Sequence, residues 1–243
     1  MKQAISIAIV LLGFTSGAWA EPVDIKGTDD FTLKGDYHAG AADGAGVLML
    51  HQCNRDRQMY APIAEKLEKM GIHTLAIDFR AFGESQAGDY TAAKIEAIKS
   101  DDERRAFFRH MVRDIWRGDV TAAYDYLRAK VKDGKPIGVI GASCGGSQAV
   151  RLASDRPVKT LSLFSSATSP RTMEVYQALP ATPTLFITSE EELPGIQPYF
   201  DLASHPSNRL IEYKGEGHGE PLMERDPSLA GAIANWFDAQ LSE

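Results

Sequence analysis

The residues best suited to chemistry centre on a serine between small residues. GASCG at 141–145 fits the pattern G-x-S-x-G, in which the serine occupies a sharp turn between a strand and a helix. Strand and helix approach each other closely at such a turn, so the positions two before and two after the serine must be small. Amides at the start of the helix can then stabilise negative charge on the group that the serine attacks. Ser143 is therefore the candidate nucleophile.

A serine hydroxyl is a weak nucleophile at neutral pH and needs a base, together with an acid that orients the base. Where a serine turn of this kind is used, the order along the chain is serine, acid, histidine. This order leaves His205 and His218 as candidate bases. His205 precedes Pro206, where a helix would end, whereas His218 follows the last predicted strand in a glycine-rich loop. We favour His218.

The candidate acids follow a predicted strand at 184–188. Glu190, Glu191 and Glu192 are consecutive there. At least two of the three are expected to be ordinary solvated charges, because surface glutamates are common. The residues alone do not separate the candidates.

The elements that must position these residues alternate along the chain. Short apolar runs alternate with longer helical patterns, which predicts a mainly parallel sheet with crossover helices. Strands are predicted at 31–37 (an antiparallel edge strand), 47–50, 72–79, 137–140, 158–164, 184–188 and 209–213. No repeat or internal boundary is visible, so residues 21–243 are predicted to form a single domain, with 86–112 as a small lid insertion.

Residues 1–20 have the pattern of a secretory signal peptide. Lys2 precedes an apolar run at 4–14, and Ala-Trp-Ala at 18–20 is a typical cleavage signal. The run is too short to span a bilayer, so we expect a periplasmic or secreted protein without stable membrane insertion. The formal net charge of −7 argues against nucleic-acid binding. No phosphate-binding loop or metal-ligand spacing occurs, so no cofactor or metal is expected.

Four motifs together resemble the α/β-hydrolase superfamily. They are GASCGG at 141–146, His-Gln at 51–52 after a strand, D-x-R-x-x-G-x-S at 78–85 and G-x-G-H at 215–218. Without a large insertion before the acid, the chain resembles the dienelactone-hydrolase-like branch. The resemblance runs from about residue 47 onward. It implies an α/β-hydrolase fold, with a mostly parallel central sheet flanked by helices and no large cap domain. It also implies hydrolysis of small carboxylic esters through an acyl-enzyme.

The resemblance also implies roles for particular residues. The family places its acid in a strand-end Gly-x-x-Asp, and Ser189 stands for the glycine here, so the role passes to Glu192 rather than Glu191. The family's oxyanion amides correspond to Cys53 and Cys144. Two amides that face one oxyanion have α-carbons close enough for a disulfide. A Cys53–Cys144 disulfide is one expectation, and two buried free cysteines are the other.

Several alternatives stay open at this point. Cys144 is a rival nucleophile, because it also has small flanking residues and some dienelactone hydrolases use cysteine; the glycine register favours Ser143. Gln52, which replaces a family glycine, either narrows the oxyanion loop or adds a side-chain donor. The same triad could hydrolyse lactones, dienelactones or short peptides. A non-catalytic binding protein could also retain the fold.

A series of arginines forms a further pattern. Residues four apart lie on one face of a helix, and arginines occupy four such positions: Arg105, Arg109, Arg113 and Arg117. The ordinary interpretation is a solvated face paired with the acids at 101–103 and 114. The sharper hypothesis is a cationic rim of the lid that attracts anionic substrates.

Overall fold

The computed structural model describes residues 20–167 and 169–242. Its centre is one eight-stranded sheet with the order β1-β2-β4-β3-β5-β6-β7-β8. The strands are β1 (Glu21–Lys26), β2 (Thr32–His38), β3 (Gly46–Leu50), β4 (His73–Ile77), β5 (Ile137–Ala142), β6 (Thr160–Phe164), β7 (Thr184–Ser189) and β8 (Arg209–Tyr213). All but the last residue of the predicted signal peptide lie outside the described residues.

Six strands, β3 to β8, run parallel, and β1 and β2 are antiparallel at one edge. The predicted antiparallel strand at 31–37 corresponds to β2, but the prediction that it lies at the edge is wrong, because β1 pairs with its outer side. The sequence analysis did not predict β1, in which only Val23 and Ile25 are buried. The mostly parallel sheet of an α/β-hydrolase fold is confirmed.

Helices cover both faces of the sheet. They are α1 (Ala61–Lys69), α2 (Ala92–Glu96), α3 (Asp101–His110), α4 (Trp116–Lys130), α5 (Cys144–Asp155), α6 (Pro170–Gln177), α7 (Leu193–Leu202), α8 (Glu220–Arg225) and α9 (Ser228–Leu241). Every residue of β3 is buried: Leu48 and Leu50 belong to one apolar core, and Val47 and Met49 belong to the other. This alternation is typical of a strand covered on both faces.

The segment predicted as an insertion lies on the surface. Neither α2 nor α3 has a fully buried side chain. One turn of π-helix, Met111–Ile115, joins α3 to α4, and Trp116 at the start of α4 stacks on Phe79, with ring centroids 4.3 Å apart. No large cap covers the sheet in the described part of the chain. None of the described helices is long and apolar enough to cross a membrane.

Candidate active site

Ser143 occupies a strained turn between β5 and α5. Its φ of 51° and ψ of −117° are unusual for a residue with a side chain. The turn is tight: a Cβ on Gly141 would lie 2.3 Å from the carbonyl oxygen of Gly145, and one on Gly145 would lie 2.1 Å from that of Leu50. The small residues at these positions are therefore a steric requirement. The turn is held open by a hydrogen bond from the Ser143 amide to the Phe164 carbonyl, 2.8 Å long.

His218 and Glu192 meet at the carboxyl ends of neighbouring strands. His218 follows β8, Glu192 follows β7, and His218 Nδ1 donates a hydrogen bond to the Glu192 carboxylate. This hydrogen bond is the main reason that the pKa of His218 is raised, and burial opposes the rise. The other Glu192 oxygen, Oε2, is buried and has no hydrogen-bond partner among the described residues. The carboxylate charge is therefore directed at the imidazole.

The side chains of Glu190 and Glu191 lie in other environments. The Glu190 carboxylate accepts a hydrogen bond of 3.0 Å from the Gly215 amide, which fixes the start of the loop that carries His218. The Glu191 side chain is exposed. Of the three candidate acids, Glu192 is the one that the fold brings to His218.

Two serines after β6 connect the Ser143 turn to the His218 loop. Ser166 Oγ donates to the carbonyl of Ser143 at 3.1 Å. Ser165 Oγ accepts from the amide of Gly219, next to His218, at 2.9 Å. Ser165 itself has a φ of 46°. The sequence analysis did not single out these serines, because two small polar residues after a strand carry no signal of their own.

A disulfide joins Cys53 to Cys144, with 5.7 Å between the α-carbons. The pairing of β3 with β5 explains this proximity, because Leu50 is in register with Gly141 and each cysteine comes three residues later. No free cysteine remains in the described chain. A thiolate is the nucleophilic form of cysteine, so the rival nucleophile Cys144 is not available while this bond is intact.

The amides of Cys53 and Cys144 are available as donors. Neither donates a hydrogen bond to a backbone carbonyl of the described residues. The Cys144 amide is the first of α5, where amides have no acceptor within the helix. Both therefore have the free donor that an oxyanion site requires.

Gln52 ties the oxyanion loop to the loop of His218. The side chain is buried, its Oε1 accepts from the Glu220 amide at 2.9 Å, and its Nε2 donates to Asn54 Oδ1 at 2.7 Å. Arg55 adds an ion pair with the Glu220 carboxylate. The bond to Asn54 uses one of the two N–H donors of the Gln52 side chain, and its oxygen is directed at the Glu220 amide.

His51 anchors the same loop from the other side. It is fully buried, and burial lowers its pKa, so the ring is neutral. Its Nδ1 donates to the Gln52 carbonyl at 2.7 Å, and its Nε2 accepts from the Phe79 amide at 2.9 Å. This fixes the tautomer.

The turn after β4 is held by Asp78, which accepts from the amides of Arg57 and Glu84, each at 2.8 Å.

A cavity of about 830 Å³ opens beside His218. It is lined by Gln52, Asn54, Arg55, Glu191, Glu192, Glu216, Gly217, His218, Pro221, Leu222 and Arg225. None of the four arginines at 105–117 lines it. Within residues 20–167 and 169–242, no cluster of three or more potential metal ligands occurs.

The structure places Ser143 on a strained strand-to-helix turn after β5, and the His218–Glu192 pair at the carboxyl ends of β8 and β7 in the same sheet. No hydrogen bond joins Ser143 to His218 within the described residues, and Ser143 does not line the cavity beside His218. A serine at such a turn is typical of serine hydrolases of the α/β-hydrolase class. The family described as "Serine aminopeptidase, S33" matches residues 42–198. The chain belongs to this family. The matched region includes Ser143 and Glu192 and ends before His218.

Solved structures with the same fold include several ester hydrolases. An esterase from Pyrococcus furiosus is 18% identical, with a TM-score of 0.70 and coverage of 92% of each chain. A dienelactone hydrolase from Anabaena variabilis is 21% identical, with a TM-score of 0.65 over 92% of this chain and 99% of that one. The esterase domain of a Rhodothermus marinus protein is 14% identical, with a TM-score of 0.68, over 92% and 100%. At these identities the similarity establishes a shared fold. No curated protein sequence matches the chain.

Proposed function

We propose that this protein is an exported serine hydrolase that cleaves small carboxylic esters through an acyl-enzyme. The observation that carries the proposal is the linkage of the two halves of the site: residues 165–166 bind both the Ser143 turn and the loop of His218. A hydroxyl, an imidazole and a carboxylate in this order form the machinery of acyl transfer.

In the proposed reaction, the Ser143 hydroxyl attacks the ester carbonyl while His218 takes its proton. The Glu192 carboxylate stabilises the imidazolium that forms. The amides of Cys53 and Cys144 bind the oxyanion of the tetrahedral intermediate. As the carbonyl re-forms, the alcohol leaves with the proton from His218, and a water molecule activated by the same imidazole then releases the acid.

The proposal includes export and a single domain. Residues 1–20 would be removed as a signal peptide, and 21–243 would fold as one domain with 86–112 as a small lid. The Cys53–Cys144 bond supports an extracytoplasmic location, because disulfides persist in oxidising compartments.

Labelling with a fluorophosphonate probe distinguishes a serine hydrolase from a non-catalytic binding protein. We expect one label per chain in the wild type and none in Ser143→Ala. Ser154→Ala is the matched control, since this exposed serine lies further along the same helix, and it should label normally. An unlabelled wild type would favour the binding protein. A panel of nitrophenyl esters graded by acyl length and charge then defines the substrate.

The cavity also favours a second candidate, the release of an amino-terminal residue from a short peptide. Two exposed carboxylates, Glu191 and Glu216, line the cavity next to His218 and could hold an α-ammonium group. Rates on aminoacyl nitroanilides, compared with those on uncharged nitrophenyl esters, separate the two candidates. If peptides are the substrate, Glu191→Gln or Glu216→Gln should raise KM for nitroanilides alone.

A further inference from the structure

A second cavity lies on the flank of the sheet, between α5, α6 and the π-helical turn before α4. Its volume is about 180 Å³. It is lined by Arg113, Asp114, Arg117, Arg151, Ser154, Arg171 and Val175. Arg151 lies more than two turns beyond Ser143 in α5, about 12 Å along the helix axis. The cavity shares no lining residue with the one beside His218.

Positive charge dominates this cavity. Arg117 is neutralised by Asp155, with two contacts of 2.8 and 2.7 Å. Arg113 and Arg171 have no ion-pair partner among the described residues, and Arg171 lies in the first turn of α6, where a cation opposes the helix dipole.

Asp114, the acidic residue that lines the cavity, offsets only part of this charge. It is paired with His110 at 2.8 Å, and its charge raises the pKa of Arg151. The opposing effects are larger: the pKa of Arg151 is lowered, first by burial and then by the charges of Arg171, Arg117 and Arg113.

Arg151 is fixed in place among these like charges. Its Nη1 donates to the carbonyl of Val112 at 3.0 Å, and this carbonyl also accepts from Gln148 Nε2 at 2.7 Å. Val112 lies in the π-helical turn, Met111–Ile115, and such turns occur frequently at functional sites. Arg151 is a half-buried cation that faces two unpaired guanidinium groups, those of Arg113 and Arg171, and an anion in the cavity would offset this repulsion.

We propose that this cavity binds a phosphate group, either as inorganic phosphate or as part of a small phosphorylated molecule. Arg113, Arg151 and Arg171 come from three separate segments of the chain and surround one space. Guanidinium groups bind phosphate oxygens through paired hydrogen bonds, and a doubly charged group with three free oxygens matches three such donors. Ser154 already donates to the Arg151 carbonyl at 2.7 Å, so the arginines are the donors.

Calorimetric titration of the full mature protein in a sulfate-free buffer tests the site, with inorganic phosphate and phenyl phosphate as the two probes. We expect saturable binding of one probe molecule per chain. Arg151→Gln and Arg171→Gln should each weaken it about 10-fold or more, as expected for a charge-assisted hydrogen bond. Tighter binding of phosphate would identify the free ion as the ligand, and tighter binding of phenyl phosphate would identify a phosphorylated molecule.

Arg109→Gln is the matched control. It removes the same charge from the same arginine series, but Arg109 does not line the cavity, so affinity should stay within about twofold. If Arg109→Gln weakened binding as much as the cavity variants do, the attraction would be diffuse and the proposed site would be refuted. A wild-type protein that binds neither probe would also refute it. Arg171 is exposed, so its variant keeps the test valid if Arg151→Gln fails to fold. Ser143→Ala should bind normally, which separates this site from the proposed catalysis.

Discussion

Replacing Gln52 with Met removes the two hydrogen bonds of a buried side chain and keeps most of its volume. In the native fold its oxygen accepts the Glu220 amide, two residues after His218. The variant leaves that partly buried amide without an acceptor, at a cost of about 1 to 2 kcal/mol. In a chain of this size the loss corresponds to a fall in Tm of roughly 2 to 8 °C. Differential scanning fluorimetry measures it.

The same change should affect catalysis through His218. A catalytic group displaced by about 1 Å can lose roughly 100-fold in rate. We therefore expect kcat on a nitrophenyl ester to fall about 10- to 100-fold, and KM to change less than threefold, because the Ser143 turn is held separately by Ser166 and the disulfide. Stopped-flow measurement of the acylation burst shows whether the slow step is attack by serine.

Asn208→Leu is the matched control for Gln52→Met. The side-chain oxygen of Asn208 accepts the amide of Thr184 at 2.8 Å, at the end of β7 opposite Glu192. This variant should lower Tm by a similar amount and leave kcat unchanged. Equal losses of kcat in the two variants, or full activity in Gln52→Met, would refute the positioning role.

Three further predictions concern the site. Glu192→Gln should lower the pKa of His218 toward its ordinary value, since the hydrogen bond from His218 to Glu192 is the main cause of the rise. An NMR titration of the imidazole measures this pKa. The acid limb of the pH profile of kcat/KM should move to lower pH by the same cause. Because the folded-state pKa is raised, the stabilisation from this pair should be fully present below about pH 6.5 and lost as pH rises through the folded value. The Cys53→Ser/Cys144→Ser variant should lose about 4.6 kcal/mol in urea unfolding, the chain-entropy value for cysteines 91 residues apart. Gly141→Ala should abolish activity and destabilise the fold by about 3 kcal/mol or more, since its Cβ would lie 2.3 Å from a backbone oxygen.

Each of these predictions has a contrary outcome. An unchanged imidazole pKa in Glu192→Gln would remove the carboxylate from its proposed role. Two titratable thiols in the native, unreduced protein would contradict the disulfide. Gly231→Ala is the control for the glycine variant: nothing lies within 4 Å of its Cβ in α9, so this change should stabilise by about 0.5 to 1 kcal/mol. A loss equal to that of Gly141→Ala would contradict the steric argument.

The sheet was predictable because its central strands are continuous apolar runs. Strand β1 and the start of α7 were not predictable, although a helix was expected to end near His205. In β1, Glu21–Lys26, only Val23 and Ile25 face the core, which is too short a pattern to stand out. The segment of α7, Leu193–Leu202, contains two prolines and a glycine. Those residue types indicate a loop, and tertiary packing of Ile196 and Tyr199 overrides the signal.

In the site too, some residues were predictable from the sequence and others were not. The order of serine, acid and histidine selects His218, and the family pattern selects Glu192, but the links through Ser165, Ser166 and Gln52 depend on which loops become neighbours. The sequence places those residues far apart.

The arginine series was predicted to share one helix face. The π-helical turn Met111–Ile115 interrupts the helix within this series, and its hydrogen-bond spacing differs from that of an α-helix. Arg113 and Arg117 line the cavity between α5 and α6, and Arg109 does not. Arg105 pairs with Asp102 at 2.7 Å, as the ordinary interpretation expects.

The position of the two cysteines has a consequence for how the chain matures. They are the only cysteines in 243 residues, so one intramolecular pairing exists and no wrong isomer can form. The pairing of β3 with β5 brings the thiols together, so the assembled sheet favours this oxidation. Maturation then requires an electron acceptor for a single thiol pair and no catalyst of disulfide exchange. For the disulfide itself, an oxidase is sufficient.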